Sequence, residues 1–211
     1  MKIRIITRVL FFLISFLIIT VFSTRALFTS SASVGMNTFS TAMSFPSPLK
    51  NVVINEVFYD VDGDHGIEGK NEWIELYNPN DAEINIKDWT ITDNSYTKPI
   101  NPNVNIPAHG FALLAHDNET WHLWDDPNGI NIITINLTGS TNWLSNSGDR
   151  IILKDSFGTT LDQMSYGTDT TVFNPSCPDV AEGHSLSRNP LGFDTNVATD
   201  FIDLASPTPG S

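Results

Sequence analysis

The sequence predicts an all-β protein built as an antiparallel β-sandwich. From Val52 onward, short segments rich in β-branched and aromatic residues recur at strand length. Turn sequences such as Asp62-Gly63 and Ser147-Gly148-Asp149 separate these segments. No window shows apolar residues sustained at helical spacing between caps. The expected strands are Val52–Tyr59, Trp73–Tyr77, Trp89–Thr92, Gly110–Ala115, Ile130–Leu137, Arg150–Lys154, Thr160–Tyr166 and Ser185–Arg188.

Composition narrows the classes of protein that the chain can belong to. Of 211 residues, 40% are hydrophobic, enough to bury a core, which excludes wholesale disorder. A single cysteine, Cys177, excludes an internal disulfide framework and a multi-cysteine zinc site. With 24 acidic and 11 basic residues the net charge is −13. Such a surface disfavours nucleic acid as a partner and attracts divalent cations or basic partners.

Residues 1–26 are predicted to be a signal peptide or an N-terminal membrane anchor. Three basic residues among the first eight precede the apolar run Val9–Phe22, which is 14 residues long. A membrane-spanning helix needs about 20 apolar residues, so a cleaved signal is favoured. Retention as an anchor is the alternative, and the membrane is otherwise not an expected partner. Cleavage after Ala26 leaves 7 basic against 24 acidic residues, a net charge of −17. The expected location is outside the cell or at its surface.

Residues 27–51 form a predicted Ser/Thr/Pro-rich spacer, closed by Pro46 and Pro48. The stretch Ala26–Ala42 resembles the segment that follows the signal peptide in camelysin-type and biofilm-fibre-type exported proteins. This resemblance implies a structural subunit of an extracellular fibre as one possible function. Residues 52–210 are then the expected sandwich domain.

The sandwich region also carries motifs that point to a known family. The first three are Ile54-Asn55-Glu56-Val57, Asn71 to Pro79 and Ile86 to Asp93. Later ones are Ile106 to Phe111, Leu144 to Asp149, Leu153 to Asp155, Leu161 to Gly167, Gly183 to Arg188 and Pro207 to Gly210. In this order they resemble lamin tail domains of the exported bacterial kind. The resemblance covers Val52–Gly210 and implies an immunoglobulin-like β-sandwich that serves as an accessory or interaction module without known catalysis.

Four carboxylates form a candidate calcium site. Asp60, Asp62 and Asp64 occupy alternate positions around a Gly-containing turn, and Glu68 follows. Dense carboxylate oxygens are the ligands that Ca²⁺ prefers, although the pattern is not that of an EF-hand. The alternative is a solvated acidic turn between two strands.

Two glutamates are predicted to lie on apolar strand faces. Alternation places Glu56 with Ile54 and Phe58, and Glu75 with the aromatic residues of its own strand. A buried carboxylate needs a partner, and Arg188 is the candidate for a structural ion pair with one of them. A catalytic pair of carboxylates, as in glycoside hydrolysis, is the alternative.

Trp121 and Trp124 lie among acidic residues in a predicted long loop. Exposed aromatic rings beside polar groups favour recognition of a carbohydrate or a protein. Alternatively, Trp121 and Leu123 plug one end of the sandwich. The leading functional hypothesis is therefore a non-catalytic exported module that binds an unknown protein or glycan at the cell surface. A calcium-assisted hydrolase of extracellular nucleic acid or phosphoester is the alternative from another class.

Overall fold

In the computed structural model of the chain, residues 50–124, 131–134 and 143–211 are described. All of them belong to one compact unit, Pro48–Ser211. The predicted signal or anchor and nearly all of the predicted spacer lie outside the described residues. Within the described stretches, no helix has both the length and the apolar character needed to cross a membrane.

The described chain consists of short β-strands joined by loops, with two 3-10 helices at Asn118–Leu123 and Ala198–Asp200. The strands are β1 Val53–Phe58, β2 Trp73–Tyr77, β3 Ile84–Asn85, β4 Thr90–Thr92, β5 Thr97–Pro99, β6 Asn105–Ile106, β7 Phe111–Ala115, β8 Asn131–Thr134, β9 Gly148–Lys154, β10 Thr160–Gly167, β11 Ser185–Arg188 and β12 Phe201–Leu204.

These strands form two main sheets and one small sheet. The larger sheet has six strands in the order β12-β11-β1-β2-β7-β8, and the facing sheet has the order β10-β9-β4-β5. Strands β3 and β6 make a separate pair. All pairings are antiparallel except β7 with β8, which is parallel. The predicted immunoglobulin-like antiparallel β-sandwich is confirmed, with one parallel pair that the sequence does not indicate.

The main core fills the space between the two large sheets. Ile74 and Leu76 of β2 pack there with Ile151 and Leu153 of β9. In the same core, the rings of Tyr59 and Tyr166 stack with their centroids 4.0 Å apart. Interdigitated burial of this kind gives a sandwich most of its stability.

An irregularity in β1 decides which face its side chains occupy. The register with β2 shifts between Ile54 and Glu56, so Ile54 and Val57 both contribute to the main core. Glu56 consequently lies on the opposite face, together with Phe58. The predicted placement of Glu56 with Phe58 is therefore correct, whereas the placement with Ile54 is wrong because simple alternation stops at the shift.

The outer face of the six-stranded sheet carries a second, smaller core. Phe58, Trp73 and Leu113 project from neighbouring strands and are covered by Trp121 of the first 3-10 helix. Trp124 packs against the edge of this cluster. Both faces of the sheet are thus buried here, and this explains the uniform burial of β1 and β2.

Candidate functional site: a groove beside Trp124

A groove of about 650 Å³ opens where the outer face of the six-stranded sheet meets four loops. We call it the Trp124 groove. One wall comes from Leu123 and Trp124, and the other walls come from the loop after β1, the loop before β11 and the last residues of the chain. Its lining residues are Asp62, His65, Leu123, Trp124, Glu182, Gly183, His184, Ala205, Ser206, Pro207, Thr208, Pro209 and Ser211.

The tryptophan wall is built on the first 3-10 helix. The Asp117 side chain accepts a hydrogen bond from the backbone N–H of Glu119 and caps this helix. Trp121 is 7% exposed and its ring lies 6.4 Å from that of Trp73, so it plugs the second core. Trp124 is half-buried and stacks on His65 with ring centroids 4.1 Å apart and an interplanar angle of 18°. Of the two predicted ligand-binding tryptophans, only Trp124 lines the groove.

The acidic wall is formed where the loop after β1 meets the loop before β11. Gly183 has φ of +82°, and a Cβ at this position would stand 2.6 Å from Oδ2 of Asp62. The Gly183 N–H donates to the carbonyl of Asp60 at 2.8 Å. The missing side chain therefore lets the two loops come together, and it brings Asp62 next to the exposed carboxylate of Glu182.

Two histidines on this side of the groove are each held by an aspartate. His65 Nδ1 lies 2.5 Å from Oδ1 of Asp62, and His184 Nδ1 lies 2.7 Å from Oδ1 of Asp203. The Asp62 carboxylate also accepts the backbone N–H of His65 at 2.9 Å. Imidazole orientation on this wall is thereby fixed by neighbouring carboxylates.

The third wall is a C-terminal turn that is hydrogen bonded to two buried carboxylates. The N–H and the hydroxyl of Thr208 donate to Glu56, both at 2.9 Å, and Ser185 donates to the same carboxylate at 2.6 Å. Glu75 accepts the Gly210 N–H at 2.5 Å and the Asn55 side-chain amide at 2.8 Å. The turn is held over β1 and β2 by these bonds and not by apolar packing alone.

Burial raises the pKa of both glutamates under this turn. For Glu75 the pKa rises to about 8, because desolvation outweighs the hydrogen bonds from Gly210 and Asn55 and the adjacent Glu56 carboxyl adds to the rise. For Glu56 the direction is the same and desolvation is again the main cause. Both side chains are fully buried and face each other across β1 and β2. A substrate has no access to them, so the alternative of a catalytic carboxylate pair at Glu56 and Glu75 is not supported.

The predicted ion pair between Arg188 and these glutamates is wrong. The Arg188 guanidinium instead donates to Asp162 at 2.8 and 3.0 Å and lies 3.3 to 3.4 Å from Asp194 and Asp200. Arg188 follows Ser187 on β11, which faces Glu56 in register, and alternation turns its side chain to the other face of the sheet. The bonds from the C-terminal turn satisfy the glutamates in its place.

The four predicted calcium ligands are not brought together as one set. Asp60 accepts the side-chain amide of Asn146 at 2.7 Å, and Glu68 accepts the backbone N–H of Val61 at 2.9 Å. Asp62 is hydrogen bonded to His65, and Asp64 is exposed. Across residues 50–124, 131–134 and 143–211, no three His, Cys, Asp or Glu side chains form a group that could hold a metal ion. Asp60, Asp62 and Glu68 thus accept hydrogen bonds from protein groups, and the structure does not assemble the predicted Ca²⁺ ligands into one site.

Glu72 is a further buried acid, and no sequence motif distinguishes it from the exposed acids of the neighbouring loop. It is fully buried, its Oε2 accepts the backbone N–H of Leu144 at 2.9 Å, and burial together with the nearby Glu68 carboxyl raises its pKa to about 9. It is therefore protonated at neutral pH and adds no charge to the interior.

Comparison with known proteins decides the family. The model of the Lamin Tail Domain family matches residues 46–168, more than half of the chain. The chain belongs to the lamin tail domain family. No curated protein matches it. Lamin tail domains are a family of immunoglobulin-like, non-enzymatic domains.

Several groove residues of this lamin tail domain escape sequence reasoning. Glu182, His184 and Thr208 lie far from Trp124 in the sequence, and the first two stand in a loop without a recognisable binding motif. The Pro-Thr-Pro-Gly sequence at 207–210 indicates a turn, but it does not indicate that the turn folds back onto β1.

Proposed function

We propose that this lamin tail domain protein is an exported, non-catalytic binding module that holds a partner outside the cell or at its surface. Export is supported by the basic start followed by the apolar run Val9–Phe22. The absence of catalysis is supported by the family and by the enclosure of Glu56, Glu72 and Glu75, the buried acids described above.

The observation that carries the proposal is the Trp124 groove itself. It combines a half-buried indole, two oriented imidazoles and exposed polar side chains in a volume large enough for several residues of a peptide or sugar units of a glycan. Binding residues on loops that a rigid sandwich positions are the usual arrangement of recognition domains. Because hydrogen bonds fix each wall, little conformational entropy would be lost on binding.

The groove can be tested with arrays of glycans and of peptides probed with the labelled full chain. We expect binding to a subset of the ligands, and a loss of at least about tenfold in the Trp124→Ala variant, since a central aromatic anchor dominates such sites. Phe157→Ala is the matched control, because Phe157 is 92% exposed in the turn between β9 and β10 and does not line the groove.

Two outcomes would contradict the proposal. Equal binding by Trp124→Ala and the unchanged chain, when thermal unfolding shows that both are folded, would show that the groove is not the binding site. Export is tested separately by mass spectrometry of the N-terminus of the protein recovered outside the cell. We expect the chain to begin after the apolar run; a chain found only inside the cell would refute export.

A further inference from the structure

We infer that the Trp124 groove takes a positively charged segment of its partner, a stretch of peptide that carries lysine or arginine side chains. This inference rests on the proposed function, since it names the class of ligand for the same groove. Charge, geometry and the aromatic wall of the groove support it in turn.

The charge of the groove is negative and is not neutralised by basic side chains. Asp62 and Glu182 line it directly, and Asp203 stands behind His184. Among the described residues that line the groove there is no lysine or arginine. The two histidines are the nearest candidates for positive charge, and each already contacts an aspartate.

More carboxylates stand close behind the acidic wall. Asp60 precedes Asp62 in the same loop, and Glu68, Glu182 and Asp179 each act on it electrostatically, so that its pKa is raised by burial first and by these neighbours next. These carboxylates belong to the loops that form the acidic wall or lie beside it, so they add to the negative potential around Asp62 and Glu182. A cation entering there gains from several carboxylates at once, because a concave, low-dielectric wall focuses the field.

The aromatic wall suits the rest of a basic side chain. Lysine and arginine carry aliphatic stems that pack on apolar surface while the charged end remains with carboxylates. Trp124 and Leu123 supply that surface on one side, and Glu182 with Asp62 supplies the charge on the other. A neutral sugar would use the indole but would leave the acidic wall without a partner, and an acidic glycan or a nucleic acid would be repelled.

The test uses the full chain and a short peptide in which lysine alternates with glycine. The same peptide with every lysine acetylated is the first control, because acetylation removes the charge and keeps the stem. A neutral chitin oligosaccharide represents the carbohydrate outcome. Affinity is measured by fluorescence anisotropy for the peptides and by calorimetry for the sugar, at low salt and at about 0.15 M salt.

Two acid-to-amide variants separate the groove from the general charge of the protein. Glu182→Gln removes one exposed carboxylate of the groove, whereas Glu83→Gln removes one exposed carboxylate in the loop before β3, outside the groove. We expect one-to-one binding of the lysine peptide, weakened about three- to tenfold by Glu182→Gln and by salt, and unchanged by Glu83→Gln. The acetylated peptide should bind at least about tenfold more weakly.

Equal weakening by Glu182→Gln and Glu83→Gln would overturn the inference, because attraction would then be general to the acidic surface. Binding of the oligosaccharide, lost in Trp124→Ala, together with no binding of the lysine peptide, would overturn the inference while leaving the proposed function standing. Failure of every ligand on the arrays and in solution to depend on Trp124 would refute both.

Discussion

Arg188 and Asp162 form a completely buried ion pair that joins the two sheets of the sandwich. Nη2 of Arg188 lies 2.8 Å from Oδ2 of Asp162, and the same carboxylate oxygen accepts the backbone N–H of Ile54 at 2.7 Å. The guanidinium also donates through Nε to the carbonyl of Ile54 at 2.8 Å. Arg188 of β11 and Asp162 of β10 are therefore both hydrogen bonded to the backbone of β1 at Ile54, where its register with β2 shifts.

We expect Arg188→Met to destabilise the domain by about 3 to 5 kcal/mol, because the change leaves buried aspartates without their cation. Urea unfolding followed by tryptophan fluorescence measures the free energy of unfolding. Arg150→Met is the matched control: Arg150 is partly exposed and lies 3.4 Å from Asp169, so its loss should cost less than about 1 kcal/mol. Equal costs for the two variants would contradict a special role for the buried pair.

Stability should fall as the pH rises from about 5 to about 9. The pKa values of Glu72 and Glu75 are raised from 4.5 to about 9 and about 8 in the folded state. In this window the folded protein keeps protons that the unfolded chain releases, so raising the pH favours unfolding. One pKa unit of difference between the states corresponds to about 1.4 kcal/mol, and we expect a decline of at least about 2 kcal/mol.

Thermal unfolding across this pH range measures the effect. Glu72→Gln keeps the shape of the neutral acid, so it should flatten the decline while leaving the Tm near pH 5 almost unchanged. Glu83→Gln, which removes an exposed acid, should preserve the full decline. A Tm that rises towards pH 9 in the unchanged protein would show that these carboxyls are ionised in the fold.

Substitutions of Trp121 and Trp124 should differ in their effect on the free energy of unfolding, because Trp121 fills the second core and Trp124 lines the groove. Trp121→Ala removes a buried ring from the second core and should cost about 3 to 5 kcal/mol. Trp124→Ala should cost less, because its ring is half-buried at the edge of that cluster. Chemical unfolding of both variants tests the difference; a larger cost for Trp124→Ala would assign it a structural role instead of a binding role.

The hydroxyl of Thr208 should matter for stability although the residue lies close to the end of the chain. It donates to Oε2 of Glu56 at 2.9 Å. Thr208→Val removes this donor at constant shape, and we expect a loss of about 1 to 2 kcal/mol measured as a lowered Tm. Thr208→Ser keeps the donor and should stay close to the unchanged protein. Similar Tm values for the two variants would contradict the role of the hydroxyl.

The thiol of Cys177 should be unreactive in the folded protein. The residue is fully buried, and burial raises the pKa of the thiol to about 12. The thiolate is the reactive form, so a disulfide reagent should react only after unfolding by denaturant. Rapid reaction of the native protein would show that the loop around Cys177 opens.

The sequence predicts the strands well because burial and alternation are local properties. Trp73–Tyr77 and Ser185–Arg188 match β2 and β11 to the residue. The sequence misses β3, β5 and β6, which are two or three residues long and too short for an alternating pattern, and it also misses β12, whose apolar residues Phe201, Ile202 and Leu204 lie outside the predicted strands.

Site residues are harder to predict, because the partner of a carboxylate depends on which residues the tertiary structure brings close to it. Arg188 has many acids available along the chain, and only the folded packing of β10 against β1 selects Asp162. Acids at alternate positions are compatible both with a metal site and with carboxylates that accept local backbone N–H groups. Asp62 and Glu68 accept such backbone N–H groups. The role of Trp121 depends on the second core, which alternation in one strand does not reveal.

The turn at Thr208 has two contacts: it borders the Trp124 groove, and it donates hydrogen bonds to the buried carboxylate of Glu56 beneath it. Proteolytic removal of residues 207–211 would therefore delete this wall of the groove and both hydrogen bonds from Thr208 to Glu56, while the hydroxyl of Ser185 would still donate to that carboxylate. The shortened chain should therefore have both an incomplete groove and a lower Tm, because the same turn serves the groove and the buried carboxylate.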